Sequence, residues 1–390
     1  MQSDRRFLPV WLAALLCGLL ISATAELVKA EDPATGWDAV IRMLPELHLL
    51  DAEAEIVHRE AITPIQSKDG ETPRGKLAHR AAELIAVKSA TGERTYEIGR
   101  DVLLDKDGQS LLFTLESKPV FIKESELYPP KDAPRSYRHR VGNPEQNMLY
   151  GPGRWFHDRQ VEVTYRRQKP VEPAASSLAV KQLPKTLARL KAGEPITIGV
   201  SGDSISAGGD ASALADAPPF MPPFPNLVAA QLQAHSKSPV TLKNRAIGGW
   251  SVANGVQDLD KLLAEHPHLM IVAYGMNDVG RRDPKWFKEQ TQTILDRARA
   301  ADPNLEIILV APMLGHKEWI HTPREMFAQY RDVLAGFVGP GVALADLTKV
   351  WDDQLQSKHD LDLTGNGLNH PNDYGHRLYA KTILGLLVEP

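Results

Sequence analysis

Cysteine is nearly absent: the 390-residue chain holds one, Cys17. A lone thiol forms no intrachain disulfide, and this one sits in a stretch that reads as removable. Thiol nucleophiles and Cys-ligated zinc drop out, leaving Ser, His and carboxylates to carry any chemistry. A surplus of charge is also missing, since 45 Lys and Arg stand against 49 Asp and Glu for a net charge of -4. No basic stripe of the kind nucleic-acid binding requires is present, and the run Tyr165-Arg166-Arg167-Gln168-Lys169 reads as a solvated strand end. There is no glycine-rich phosphate loop and no His-Glu-x-x-His metal motif. Gly202-Asp203-Ser204-Ile205-Ser206 fails the Gly-x-Ser-x-Gly elbow at its last position. No cofactor and no metal is called for.

What is present begins with a leader. Arg5 and Arg6 precede an apolar stretch from Phe7 to Ile21, and Ala23-Thr24-Ala25 supplies a small-x-small cleavage pattern, so residues 1–25 read as a secretory signal peptide. The stretch falls short of the roughly 20 apolar residues that cross a bilayer. Leu16 before Cys17 is too bulky for a lipoprotein cleavage site. The expectation is an exported protein, periplasmic or extracellular, starting near Glu26 and without stable membrane insertion after the signal is removed.

With 43% hydrophobic and 24% charged residues, the remainder has the composition of a soluble globular protein, and its length suits two domains. Residues 37–167 read as a β-rich module, with strand-like pieces at Ala54–His58, Arg94–Ile98, Val102–Asp105, Ser110–Leu115 and Gln160–Tyr165 between Gly, Pro and Asp turns. Lys106-Asp107-Gly108 is a hairpin signal. Residues 168–194, with Pro170, Pro173 and Pro184 among small residues, read as a linker. From 195 to 390 the texture alternates, with strands expected at Ile196–Val200, Val240–Ala246, Leu269–Tyr274, Glu306–Ala311 and Val342–Leu347. Helices are expected at Asn226–Ala234, Val252–Glu265, Pro284–Ala300, Pro323–Phe337 and after Asp373. Five parallel strands with crossover helices predict a three-layer α/β/α sandwich whose ligands sit beyond the carboxyl ends of the strands.

Four strand-end or loop blocks then matter. Ser201-Gly202-Asp203-Ser204-Ile205 places a hydroxyl at the rim of the first strand. Asn244-Arg245-Ala246-Ile247-Gly248-Gly249-Trp250-Ser251 leaves the second through paired glycines that allow close backbone approach. Tyr274-Gly275-Met276-Asn277-Asp278 offers an amide donor after the third. Asn369-His370-Pro371-Asn372-Asp373 brings an imidazole before the last helix, where Asp373 reads as a cap; an ordinary imidazole titrates at about pH 6.5 and can relay a serine proton. Singly each block is also a plain turn or cap.

Together the four blocks resemble those of the SGNH (GDSL-type) hydrolase superfamily over about residues 195–388. The resemblance implies a flavodoxin-like catalytic domain and a serine esterase. It implies Ser204 as nucleophile and His370 as base, with the Ser204 N–H, Gly249 and Asn277 forming the oxyanion hole. The family usually carries an aspartate three residues before the histidine, where this chain has Gly367. Either Asp362 folds back to orient His370, or Asn366 or a backbone carbonyl does so.

The proline-rich run Pro218–Pro225 reads equally as a substrate wall or a rigid surface loop, and Trp250 and Trp319 as core residues or sugar platforms. No long apolar lid follows the nucleophile. Export, the β module and the resemblance point to deacetylation of a carbohydrate, with a small-molecule or glycan ester as partner. An O-acyltransferase on the same scaffold and a non-catalytic glycan-binding protein are the alternatives.

Overall fold

The structure, a computed structural model, describes residues 37–51, 55–143, 145–170 and 177–389. The expected signal peptide and Cys17 lie outside them. The first described element is an amphipathic helix, Asp38–Leu47. Leu44, Leu47 and Leu49 enter the core of the C-terminal domain rather than the β module, and the Trp37 indole donates to the Val240 carbonyl at 3.0 Å.

The β module itself is two sheets over one core. In the first, β1 (Ile56–Ile62), β4 (Ala81–Ser89) and β10 (Val161–Arg167) pair antiparallel in the order β1-β10-β4. The second contains β2 (Ile65–Gln66), β3 (Arg74–Lys76), β5 (Val102–Leu104), β6 (Ser110–Phe113) and β7 (Ile122–Lys123), ordered β5-β6-β3-β2-β7. Val161, Val163 and Tyr165 alternate inward along β10 and meet Val102, Leu111 and Phe113 of the other sheet, the period of two that a half-buried strand imposes. Asp107 closes the expected hairpin by accepting the Gln109 and Ser110 N–H groups at 2.8 and 2.7 Å. Residues 94–98 do not form the expected strand; Thr95 makes only an isolated bridge to Lys88. A short hairpin, β8 (Ser136–Tyr137) with β9 (Met148–Leu149), follows.

The segment read as a linker is only partly one. Ala179, Leu183 and Leu190 are core residues, and the helix Pro184–Lys191 starts where the Glu306 carboxylate accepts the Lys185 and Thr186 N–H groups at 3.0 and 2.7 Å. Residues 171–176 lie outside the described residues.

The C-terminal domain carries β11 (Ile196–Gly202), β12 (Val240–Asn244), β13 (Leu269–Ala273), β14 (Glu306–Ala311) and β15 (Val342–Asp346). All pair parallel, in the order β12-β11-β13-β14-β15. β13 and β14 are buried throughout, as strands covered on both faces must be. Helices Phe224–Ser236 and Asp373–Leu384 pack together, and Val252–Leu263 packs on Pro284–Ala301, giving three layers. The order reverses at β11, so β12 and β13 flank it and their carboxyl ends open one crevice.

Two buried ion networks join the β module to this domain. Lys358 and Glu60, both fully buried, pair at 2.7 Å, and the Tyr165 hydroxyl donates to the same carboxylate at 2.8 Å. Arg377 of the last helix reaches Glu162 of β10 at 2.9 Å, and Arg59 holds the other carboxylate oxygen at 2.7 Å. Removing one member of such a pair strands a buried charge, commonly at about 3–5 kcal/mol.

Candidate active site

β11 ends on Gly202, where a Cβ would come within 2.7 Å of the Ser206 Cβ and 3.1 Å of the Ala273 carbonyl; only glycine lets the chain turn here. Asp203 accepts the Ile205 N–H at 3.0 Å and starts the short helix Ser204–Ala207, which Gly208 ends at φ 103°. Ser204 is thereby held half-buried at the rim. Burial pushes the Asp203 carboxyl up to about 6, against the pull of the Ile205 N–H and His370.

Ser204 Oγ and His370 Nε2 are 2.9 Å apart. The other imidazole nitrogen, Nδ1, lies 2.7 Å from Asp210 Oδ2. Asp210 occupies the left-handed region at φ 58°, and Gly209 before it has no room for a side chain, since a Cβ would stand 2.7 Å from His370 Nδ1. The Asp210 side chain is 7% exposed. Burial works to raise its pKa, yet the His370 hydrogen bond and charge, with the Gly153 N–H, outweigh burial and hold it below the usual carboxylate range.

The sequence reading missed Asp210 and looked instead beside the histidine. Asp362 is buried elsewhere, accepting the Thr63 and His359 N–H groups at 2.7 and 2.9 Å, 3.9 Å from Lys358 Nζ. Asn366 braces the histidine loop: its Oδ1 accepts N–H groups from Leu368, Asn369 and His370 at 2.9, 3.1 and 3.3 Å and the Thr364 hydroxyl at 3.2 Å, and its Nδ2 donates to Asn369 Oδ1 at 3.2 Å. Gly367 is sterically closed, because a Cβ there would lie 2.5 Å from the Leu149 carbonyl and 3.0 Å from the Phe156 ring at φ 91°. No aspartate fits that position. No local signal marks Asp210 as that acid; the Gly208-Gly209 pair just before it marks only the turn on which it stands.

The opposite rim comes from β12 and β13. The Ile247 N–H donates to the Gly202 carbonyl at 3.2 Å, tying the second block to the nucleophile strand, and Trp250 closes the turn onto Ile247 at 3.2 Å. Gly249 sits at φ 78°, and a Cβ on Gly248 would lie 3.8 Å from the Ser204 Cβ. Asn277 Nδ2 donates to the Trp250 carbonyl at 2.9 Å, which leaves the amide a second N–H. Gly248, Gly249 and Asn277 are exposed. Trp250 packs on the domain core, whereas Trp319 stands edge-on to Tyr137 and His321 at 5.5 and 5.1 Å. In the proline-rich run Met221 and Phe224 are buried and Phe220 is exposed. Asn372, not Asp373, caps the last helix, by accepting the Gly375 N–H at 3.0 Å; Asp373 accepts from Ser212 at 2.8 Å.

Beneath this rim Asp278 Oδ1 accepts the Val252 N–H at 3.1 Å, while its Oδ2 is buried with no partner. Burial, with the Asp203 charge adding to it, pushes Asp278 up to about 7 although the Val252 N–H opposes this. Between the ordinary value near 4 and about 7 the folded state holds a proton that the unfolded chain has lost, so stability falls as pH rises through that window. Asp278→Asn keeps the acceptor and removes the charge. Its melting temperature exceeds wild type by a few degrees at pH 8 and matches it at pH 4; equal values at pH 8 would refute this account.

Among the described residues one group has metal-ligand spacing: His48, Asp51 and His58, with ligand atoms within 4.8 Å of one another. It shares no residue with the Ser204 cluster.

Residues 200–378 match the GDSL-like lipase/acylhydrolase family. Comparison with curated proteins finds no significant match. Among solved structures, a catalytic mutant of Axe2, an acetylxylan esterase from Geobacillus stearothermophilus, is 20% identical, with 50% of this chain and 96% of that one covered at a TM-score of 0.40. CEX, a two-domain esterase active on acetylated mannans, is 19% identical over 54% of this chain and 55% of its own, TM-score 0.42. The acetyl xylan esterase AlAXEase is 19% identical, covering 50% of this chain and 100% of that one at a TM-score of 0.40. The assignment rests on the family match and not on these likenesses: the C-terminal α/β domain is a GDSL-like lipase/acylhydrolase domain, a carboxylic ester hydrolase.

Proposed function

We propose that the protein removes acetyl groups from carbohydrate esters through an acyl-enzyme formed on Ser204. The observation that carries this reading is the continuous line from Ser204 Oγ through both nitrogens of His370 to Asp210, at 2.9 and 2.7 Å. Asp210 keeps the proton on Nδ1, which leaves Nε2 as the base and stabilises the imidazolium once formed. Nε2 takes the Ser204 proton as Oγ attacks the ester carbonyl. In this reading the N–H groups of Ser204 and Gly249 and the Asn277 amide meet the charge on the carbonyl oxygen, the task that preorganised donors perform. The C–O bond to the alcohol breaks, and the alcohol departs with the proton from Nε2. A water then gives its proton to the same nitrogen and attacks the acyl carbonyl; the bond from the acyl carbon to Ser204 Oγ breaks, Oγ takes the proton back from Nε2, and acetic acid leaves.

The open rim supports this substrate class. Gly248, Gly249 and Asn277 are open to solvent beside a half-buried nucleophile, so the alcohol side of the ester stays hydrated, as a bulky glycan requires. The same reading puts the enzyme outside the cytoplasm, which cell fractionation checks. Rates on 4-nitrophenyl acetate, butyrate and octanoate, followed by acetate release from acetylated xylo- and manno-oligosaccharides, test the specificity. Acetate esters should be fastest, octanoate at least tenfold slower, and the oligosaccharides deacetylated. Octanoate hydrolysed as fast as acetate, with inert oligosaccharides, overturns the carbohydrate reading.

A further inference from the structure

The acid of this site is held by residues of the other domain. After β9 the chain crosses to the histidine loop, where the Gly151 N–H donates to the Asn366 carbonyl at 3.0 Å. The Gly153 N–H donates to Asp210 Oδ1 at 2.6 Å, on the oxygen that His370 does not use. His157, at 1% exposure, closes the short helix Arg154–His157, and its Nε2 lies 3.0 Å from the Asp210 carbonyl. That carbonyl is an acceptor, so Nε2 carries the proton. Gln160 then fastens the loop from below, donating to the Leu361 and Thr364 carbonyls at 2.8 and 2.9 Å.

These contacts address a specific problem. Asp210 stands in a left-handed conformation that a non-glycine residue adopts only when its surroundings impose it. Its own turn does not aim the carboxylate; the Gly153 N–H takes one oxygen and turns the other toward His370, while His157 pins the backbone from which the side chain hangs.

We propose that Gly151–Gln160 of the β module is a strap belonging to the active site, with His157 a positioning residue that acts on the reaction through Asp210. The inference rests on the triad reading of Ser204, His370 and Asp210. The β module is then neither an appended accessory domain nor only a substrate-binding one, because the hydrolase domain lacks a seated acid without it.

The test uses the full-length mature protein and 4-nitrophenyl acetate, with active sites titrated by a serine-directed phosphonate. His157→Leu loses the donor and should lower kcat per active site about 10- to 100-fold while KM changes less than threefold. His157→Gln, whose amide reaches as Nε2 does, should recover most of kcat. Should His157→Leu fail to fold, Gly153→Ala serves: a Cβ there meets nothing within 4 Å, but φ +75° is strained for alanine, so the turn relaxes and its N–H leaves Asp210, again lowering kcat. A lower melting temperature with wild-type kcat per active site in every variant overturns the strap. Asp210→Asn separates the two ideas: if that variant keeps wild-type kcat, the triad reading itself fails, whereas a slow Asp210→Asn beside fast strap variants refutes the strap alone.

Discussion

Ser204→Ala lowers kcat/KM for 4-nitrophenyl acetate by about 10⁴- to 10⁶-fold, the loss seen when an acyl-enzyme nucleophile is removed and only the oxyanion donors remain. The fold tolerates the change, because Ser204 is half-buried at the start of a short helix and alanine is a good helix residue. Melting temperatures should therefore agree within a degree or two. His370→Ala should cost nearly as much, and the double variant no more than either single one, since the two groups act as a unit through their 2.9 Å contact. Initial rates of the three variants beside wild type decide the matter: wild-type turnover by Ser204→Ala removes Ser204 from the mechanism.

Asp210→Asn should cut kcat by about 10³- to 10⁴-fold, as loss of the charge removes both the tautomer preference and the stabilisation of the imidazolium. Asp362→Asn is the informative contrast. That side chain accepts N–H groups of Thr63 and His359 and lies near Lys358, so its replacement perturbs a buried junction between the domains and lowers the melting temperature. Per titrated active site its kcat should stay at the wild-type level. The reverse pattern, a fast Asp210→Asn and a slow Asp362→Asn, would move the acid's role to residue 362.

The α/β domain was legible because its strands and helices carry local signals. β13 and β14 are apolar runs of the length a buried parallel strand needs, and the helix Pro284–Ala301 begins at a proline preceded by a capping Asp283. The β module was harder to read. β4, with the sequence AAELIAVKS, has a mixed burial pattern and little β-branched character, so it passed unnoticed, while Arg94–Ile98 looks like a strand and forms only two isolated bridges, Thr95 with Lys88 and Ile98 with Val102. The helix Asp38–Leu47 contains Pro45, a residue that argues against a helix interior, and its burial comes from packing on the other domain.

Sequence by itself determined which residues end the strands. Ser204, Gly249 and Asn277 follow β11, β12 and β13, and parallel pairing in the order β12-β11-β13 brings adjacent strand ends to one rim, so local reading sufficed for them. Tertiary structure alone decided which acid faces His370. The Asp210–His370 contact spans 160 residues and the Gly153–Asp210 contact 57, separations that no local period reports. The family's usual position is filled instead by Gly367, because the Leu149 carbonyl and the Phe156 ring press on it. The packing of the β module that closes that position also supplies the Gly153 N–H that seats the acid from the other side.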